Sequence, residues 1–157
     1  MDIQGRPSKE LIRELKGEPL FSFFTDEEIE KIEPFLEFVE YPAHTVLFEE
    51  GEPGDFAGFI FSGKVEVKKR TEFKGNQIIV ALLSRGSIVG ELSLFNKRNR
   101  TATAEAVEDT SLIVLRNDRL EDFLDQYPRI GIKMLKGIIS VLSLRLSKAT
   151  ERLADVF

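Results

Sequence analysis

FAGFIFSGKVEVKKRTEFKGNQIIVALLSRGSIV, residues 56–89, decides the fold. Phe56–Phe61, Val65–Lys69, Gln77–Leu83 and Ser87–Val89 are short runs rich in β-branched and aromatic residues. Between them stand Ser62-Gly63, Gly75-Asn76 and Arg85-Gly86, pairs that turn a chain rather than extend it. Gly75-Asn76, flanked by two such runs, predicts a hairpin. The same spacing continues outward on both sides. Val39–Tyr41 and Val46–Phe48 lie upstream, before the turn Gly51-Glu52-Pro53-Gly54-Asp55, and Thr101–Val107 and Ser111–Leu115 lie downstream, around Glu108-Asp109. About eight strands with regular turns predict a β-sandwich or jelly roll.

The flanks read differently. Ser8 is placed to cap Lys9–Leu15, with Gly17 as a stop, and Thr25 opens a capping box with Glu28 ahead of Ile29, Ile32 and Leu36 at helical spacing. Pro34 divides or ends that helix. After Leu115 the helical period returns: Asn117 or Asp118 caps a short helix over Leu120–Leu124, and Tyr127-Pro128 interrupts it. A long segment, 129–156, then carries Ile130, Met134, Leu135, Ile138, Val141, Leu142, Leu146, Leu153 and Val156. At 1.5 Å per residue it spans roughly 40 Å, more than a small barrel can cover, so part of its apolar face is expected to meet a second copy. The predicted architecture is α+β: a mainly-β jelly roll, or β-roll, over 38–115, with short N-terminal helices in 1–37 and a long C-terminal helix within 116–157, all in one domain.

Composition narrows the function. With 22 Lys+Arg against 27 Asp+Glu the formal net charge is −5, which opposes non-specific binding to nucleic acid or acidic membranes. There is no cysteine, so disulfides, iron–sulfur clusters and thiolate zinc sites are excluded. The one histidine, His44, reads as a surface-loop residue. Met1–Gly5 lacks the basic and apolar regions of a secretory signal, and no apolar run reaches the ~20 residues that span a bilayer. The expectation is a cytoplasmic protein with no membrane partner.

One segment carries chemistry. Ser87–Val89 reads as a strand that Gly90 ends, and Glu91–Phe95 fits a single helical turn. The start of such a turn presents unpaired N–H groups, and a glycine lets a ligand approach them. Asn96–Asn99 forms a polar turn, after which Arg100 opens the next strand. If the chain doubles back, a guanidinium faces backbone donors, a site for one phosphate. Glu91, an acceptor, belongs there only if it receives hydroxyl protons, as a ribose would give. On these residues alone, a solvated Glu and Arg beside a simple glycine turn is the better account.

Gly90-Glu91-Leu92-Ser93-Leu94 followed by Arg100-Thr101-Ala102-Thr103-Ala104 resembles the phosphate-binding cassette of cyclic nucleotide-binding domains, found in catabolite-activator-type regulators, kinase regulatory subunits and gated channels. Pro19-Leu20-Phe21 before Thr25–Glu28, Leu47–Asp55 and Ile60–Val65 extend the resemblance to about residues 18–157. It implies that Gly90, Leu92 and Ser93 lend backbone N–H groups, that Glu91 takes the ribose 2′-hydroxyl, and that Arg100 pairs with the cyclic phosphate. Thr101 adds a hydroxyl or amide beside Arg100, with Ala102 completing the cassette. Val80, Ala81, Leu83 and Val89 line the apolar wall near the base, and Thr150 is the candidate base contact on the long helix. Gly51, Gly54 and Gly63 are structural, at strand ends where a positive φ is expected. Asn99 stands where many cassettes have proline.

The resemblance implies a sensor of cAMP or cGMP rather than an enzyme. No catalytic residue, metal or cofactor is expected, since phosphodiester hydrolysis needs metal-binding Asp/His clusters or a placed base. A fold-alike sensing haem or an iron–sulfur cluster is opposed by the lack of cysteine, and a constitutive dimerisation module with a vestigial pocket is the alternative. Catabolite-activator-type regulators follow the long helix with a winged helix-turn-helix. The residues given end within that helix, so direct DNA binding by this chain is not expected, and a homodimer through the helix is.

Overall fold

A computed structural model describes residues 3–5, 8–73 and 75–156. Among these, nine strands form two antiparallel sheets: β1 (Ile3–Gly5), β2 (Leu36–Tyr41), β9 (Thr110–Arg116), β4 (Phe56–Ser62) and β7 (Ile88–Val89) in one, and β3 (Val46–Phe48), β8 (Thr103–Ala106), β5 (Lys64–Arg70) and β6 (Gln77–Ser84) in the other. The mainly-β roll with short N-terminal helices and a long C-terminal helix is therefore present. β1, pairing with β2, is an addition that the sequence reading did not contain. The hairpin at Gly75-Asn76 joins β5 and β6, with Gly75 at φ 70°.

Two cores fill the molecule. Inside the roll, Val39, Ile60, Val65, Leu83, Val89, Ala104 and Leu112 pack together. On the outer side of the five-stranded sheet, Phe59 and Ile113 meet Leu20, Phe21, Ile29 and Ile32 of the N-terminal segments and Leu120, Phe123, Met134 and Ile138 of the C-terminal ones. This second core fixes the helices against the roll, and burial of side chains this size contributes about 1.5–3 kcal/mol each.

Local signals set the N-terminal helices. Ser8 Oγ accepts from Leu11 N at the start of α1 (Lys9–Leu15). Thr25 and Glu28 complete a reciprocal capping box at the start of α2 (Asp26–Ile32), at 3.2 and 3.1 Å. Pro34 follows in a single 3-10 turn, Glu33–Phe35. Leu36 corrects the helical reading: it opens β2 opposite Leu115, because sheet pairing outweighs the apolar spacing that linked it to Ile32.

At the other end, α3 spans Asn117–Gln126 and α4 spans Pro128–Val156. Asn117 does not cap α3 as expected, and Asp118, inside the helix, accepts among the described residues only from the adjacent Arg119 N at 2.8 Å. The helix starts at Asn117 itself, whose side-chain amide instead donates to Gly54 O and Ser93 O. Ile130, Met134, Gly137, Ile138 and Val141 bury the first half of α4, whereas residues 146–156 stand exposed. Gly137 is needed for close approach, since a methyl group there would overlap the Leu20 carbonyl.

Candidate functional site

Gly90 ends β7 with φ 80°, a conformation that favours glycine, and hands the chain to a 3-10 turn, Glu91–Ser93. A Cβ on Gly90 would sit 2.6 Å from Arg100 Nη1 and 3.1 Å from Phe56 O, so the missing side chain also makes room for the guanidinium. The turn closes through Ser93 N to Gly90 O and Leu94 N to Glu91 O, leaving its first N–H groups outside its own ladder.

Arg100 is held by its backbone. Its N–H donates to Glu52 O at 2.7 Å, and its carbonyl accepts from Gly51 N at 2.8 Å. Gly51 adopts φ 91° and Gly63 φ 94°, as expected for both. Gly54 differs: its φ is not positive, and it is glycine because a methyl group there would overlap Ser93 Oγ and Cβ. The turn before β4 thus seats the cassette.

The Arg100 side chain is 2% exposed. Its guanidinium stacks on Phe48 at 4.0 Å and Phe56 at 4.6 Å from the ring centroids. Nη1 donates to Gly90 O at 3.3 Å, while Nε and Nη2 have no hydrogen-bond partner among the described residues. Asp55 lies 4.0 Å from Nη2, too far for a hydrogen bond, and its carboxylate is largely exposed. Burial pulls the guanidinium below the ordinary arginine value; Asp55, then Glu52 and Glu91, oppose the shift. The group stays charged at any physiological pH. A buried cation with free donors is costly unless something negative meets it.

Beside it lies a cavity of about 370 Å³ including its open mouth, lined by Phe48, Val67, Val89, Gly90, Glu91, Leu92, Ser93, Arg100, Thr101, Ala102 and Arg145. Arg100 and Arg145 bring cations to it, Glu91 a carboxylate, and Phe48, Val67 and Val89 apolar surface. Such a site can take an anion bearing a hydroxyl and a flat or apolar body. Glu91 is largely buried and pairs with Arg145 of α4 at 3.3 Å; the same Nη1 donates to Ile88 O at 2.9 Å. Lys69 Nζ donates to Thr101 O at 2.9 Å and steadies the cassette end.

The cassette residues and Val89 are thus brought to one cavity, and four other expected positions are not. Val80 stands half-exposed on the edge strand β6, Ala81 lies opposite Val67 on the same strand, and Leu83 is buried inside the roll. A strand with two open faces gives no alternation from which to choose the ligand-facing side. Thr150 is exposed and bonds Leu146 O within its own helix. Phe48, Phe56, Val67 and Arg145 were missed. Arg145 is the one among them that sequence could have suggested, as a cation inside an apolar stripe.

Fold and site together define a β-roll with a cavity beside a glycine turn and a buried arginine. The pattern described as "Cyclic nucleotide-binding domain" matches residues 38–127, and the chain belongs to that family. Similar proteins include the cyclic AMP receptor protein of Thermus thermophilus, 33% identical over 86% of this chain and 60% of its own length. Another is a CRP-like cAMP-activated global transcriptional regulator of Mycobacterium tuberculosis, 31% identical over 77% of this chain and 52% of its own length. The chain therefore spans little more than half of these relatives. A cyclic nucleotide-binding domain from Methylobacillus flagellatus superposes with a TM-score of 0.89 at 25% identity, covering 99% of this chain and 89% of that one. Among the described residues no helix is long and apolar enough to cross a membrane, and no cluster of three metal-binding side chains occurs.

Proposed function

We propose that this chain is the sensor of a regulatory protein and binds cAMP or cGMP without altering it. The observation that carries the reading is Arg100, a buried guanidinium with two nitrogens lacking a hydrogen-bond partner among the described residues, in a residue that lines the cavity. The cyclic phosphate sits against Arg100 and the N–H groups of Gly90 and Leu92, with Ser93, Thr101 and Ala102 beside it. Glu91 accepts the ribose 2′-hydroxyl. Phe48, Val67 and Val89 face the apolar parts of the ligand.

The output runs through α4. A ribose at Glu91 meets a carboxylate already held by Arg145, so the nucleotide changes how α4 is tied to the roll. α4 carries two apolar faces. Met134, Gly137, Ile138 and Val141 face its own domain, while Ile132, Ile139, Leu146 and Leu153, seven residues apart, lie on an exposed seam. A heptad seam of this kind pairs with an identical one, which supports a homodimer through the helix. With a net charge of −5 these residues do not themselves bind DNA, and the site of action is the cytoplasm.

The second reading is a constitutive dimerisation module with a vestigial pocket, favoured by that seam and by the engagement of Glu91 with Arg145. Thermal unfolding with cAMP and cGMP separates the two. A sensor gains about 2.7 kcal/mol at a ligand concentration 100 times Kd. No change in melting temperature at millimolar nucleotide would select the second reading.

A further inference from the structure

We propose that Asn117 is the positioning residue through which the cassette moves α3 and α4. The inference rests on the sensor reading above and names the link that reading leaves open.

Asn117 does not line the cavity; it stands behind the cassette. Its Nδ2 donates to Ser93 O at 2.8 Å and to Gly54 O at 3.3 Å, and its backbone N–H donates to Asp55 O at 2.9 Å. Its Oδ1 is buried with no hydrogen-bond partner among the described residues. Three segments therefore converge on one residue: the end of the cassette turn, the turn before β4, and the first position of α3. Asparagine suits the place chemically. A primary amide offers two protons in one plane to two carbonyls, whereas an aspartate would set an oxygen against both and an alkyl side chain would leave both unpaired. The unpaired Oδ1 shows that the side chain is placed for its donors and not as a helix cap.

From Asn117 the path to α4 is short and stiff. Only Tyr127 separates α3 from α4, and Tyr127 N bonds Phe123 O while Gly131 N bonds Tyr127 O. A Cβ on Gly131 would lie 2.5 Å from Leu124 Cδ2, so the Leu124 side chain of α3 packs directly over the first turn of α4. The same helix pair thus grips the cassette twice. Arg145 holds Glu91 on the ligand side, and Asn117 holds Ser93 on the far side. A nucleotide that claims Glu91 alters the first grip and leaves the second, so the second decides that the helices follow the cassette.

The test is hydrogen–deuterium exchange on the full chain, wild type and Asn117→Ser, with and without saturating cAMP and cGMP, beside calorimetric affinities. In the wild type, nucleotide should change exchange in 91–95, 117–120 and 142–156. In N117S, affinity should stay within about fivefold of wild type, while the response in 142–156 falls to less than half. A merely structural role would lower the melting temperature without separating binding from response. N117S that binds and gives the full wild-type response would overturn the proposal. So would a wild type in which 91–95 respond and 117–126 stay unchanged, a result that stands even if N117S does not fold. A wild type that binds neither nucleotide would instead overturn the sensor reading, and this inference with it.

Discussion

Two arginines lean on the same carboxylate, and the protein treats them in opposite ways. Arg116, at the end of β9, lies 3.7 Å from Asp55 and donates to Glu37 at 3.1 Å. The Glu37 hydrogen bond raises its pKa above the ordinary arginine value, against a smaller penalty from burial. Arg100, 4.0 Å from the other Asp55 oxygen, is buried between two phenylalanine rings, and burial lowers its pKa. A cation whose partners are all in the protein is doing structural work. One kept charged, dry and short of acceptors is prepared for something that arrives from outside.

That contrast can be broken by substitution. Arg100→Ala should have the largest effect, a loss of about 3 kcal/mol in nucleotide binding, or roughly 100-fold, because a buried phosphate loses charge-assisted hydrogen bonds. Gly54→Ala should follow. It drives a methyl group into Ser93 and should destabilise the fold by about 1–3 kcal/mol, read as a lowered melting temperature with weaker binding. Arg100→Leu sharpens the point in the other direction. Without nucleotide it should melt at or above the wild-type temperature, since removing an unpaired buried charge relieves its desolvation. Arg116→Ala should cost about 0.2–1 kcal/mol of stability and leave nucleotide affinity within about twofold, as suits a half-exposed pair.

The smallest effect lies on the helix side. Lys133 of α4 bonds Glu28 of α2 at 2.6 Å, and that hydrogen bond holds the Glu28 carboxyl below its ordinary pKa. A depressed carboxylate contributes stability that is present above its unfolded pKa and lost as pH falls through its folded value. Lys133→Met should therefore lower stability slightly at neutral pH and leave the acid end little changed, so that the acid limb flattens in melting scans from neutral to acid pH.

What could be read from the sequence was mostly local. Thr25 and Glu28 specify their capping box within four residues, and Val46–Phe48 and Gln77–Leu83 announce strands by composition. Gly90, Glu91 and Arg100 were legible because they are neighbours in the chain and together resemble a known cassette. Phe48 and Phe56, which clamp Arg100, look like core filling in sequence, and only the sheet topology brings them there. Val80 and Leu83 stand outside the cavity lining, a placement sequence could not give because β6 is an edge strand exposed on both faces over most of its length, and the register shifts between Val67 and Lys68. Asn117 was read as a cap since its neighbourhood has the composition of one, yet its partners are carbonyls from two remote turns. Arg145 rather than Thr150 reaches the site because helical register is set by packing at Gly137 and Val141, which sequence spacing alone does not anchor.

The most direct test of the central claim is calorimetric titration of wild type and Arg100→Ala with cAMP and with cGMP. The account predicts saturable binding of at least one nucleotide by the wild type and a loss of roughly 100-fold in the variant. Equal affinity in the two proteins, with the variant folded, would contradict it.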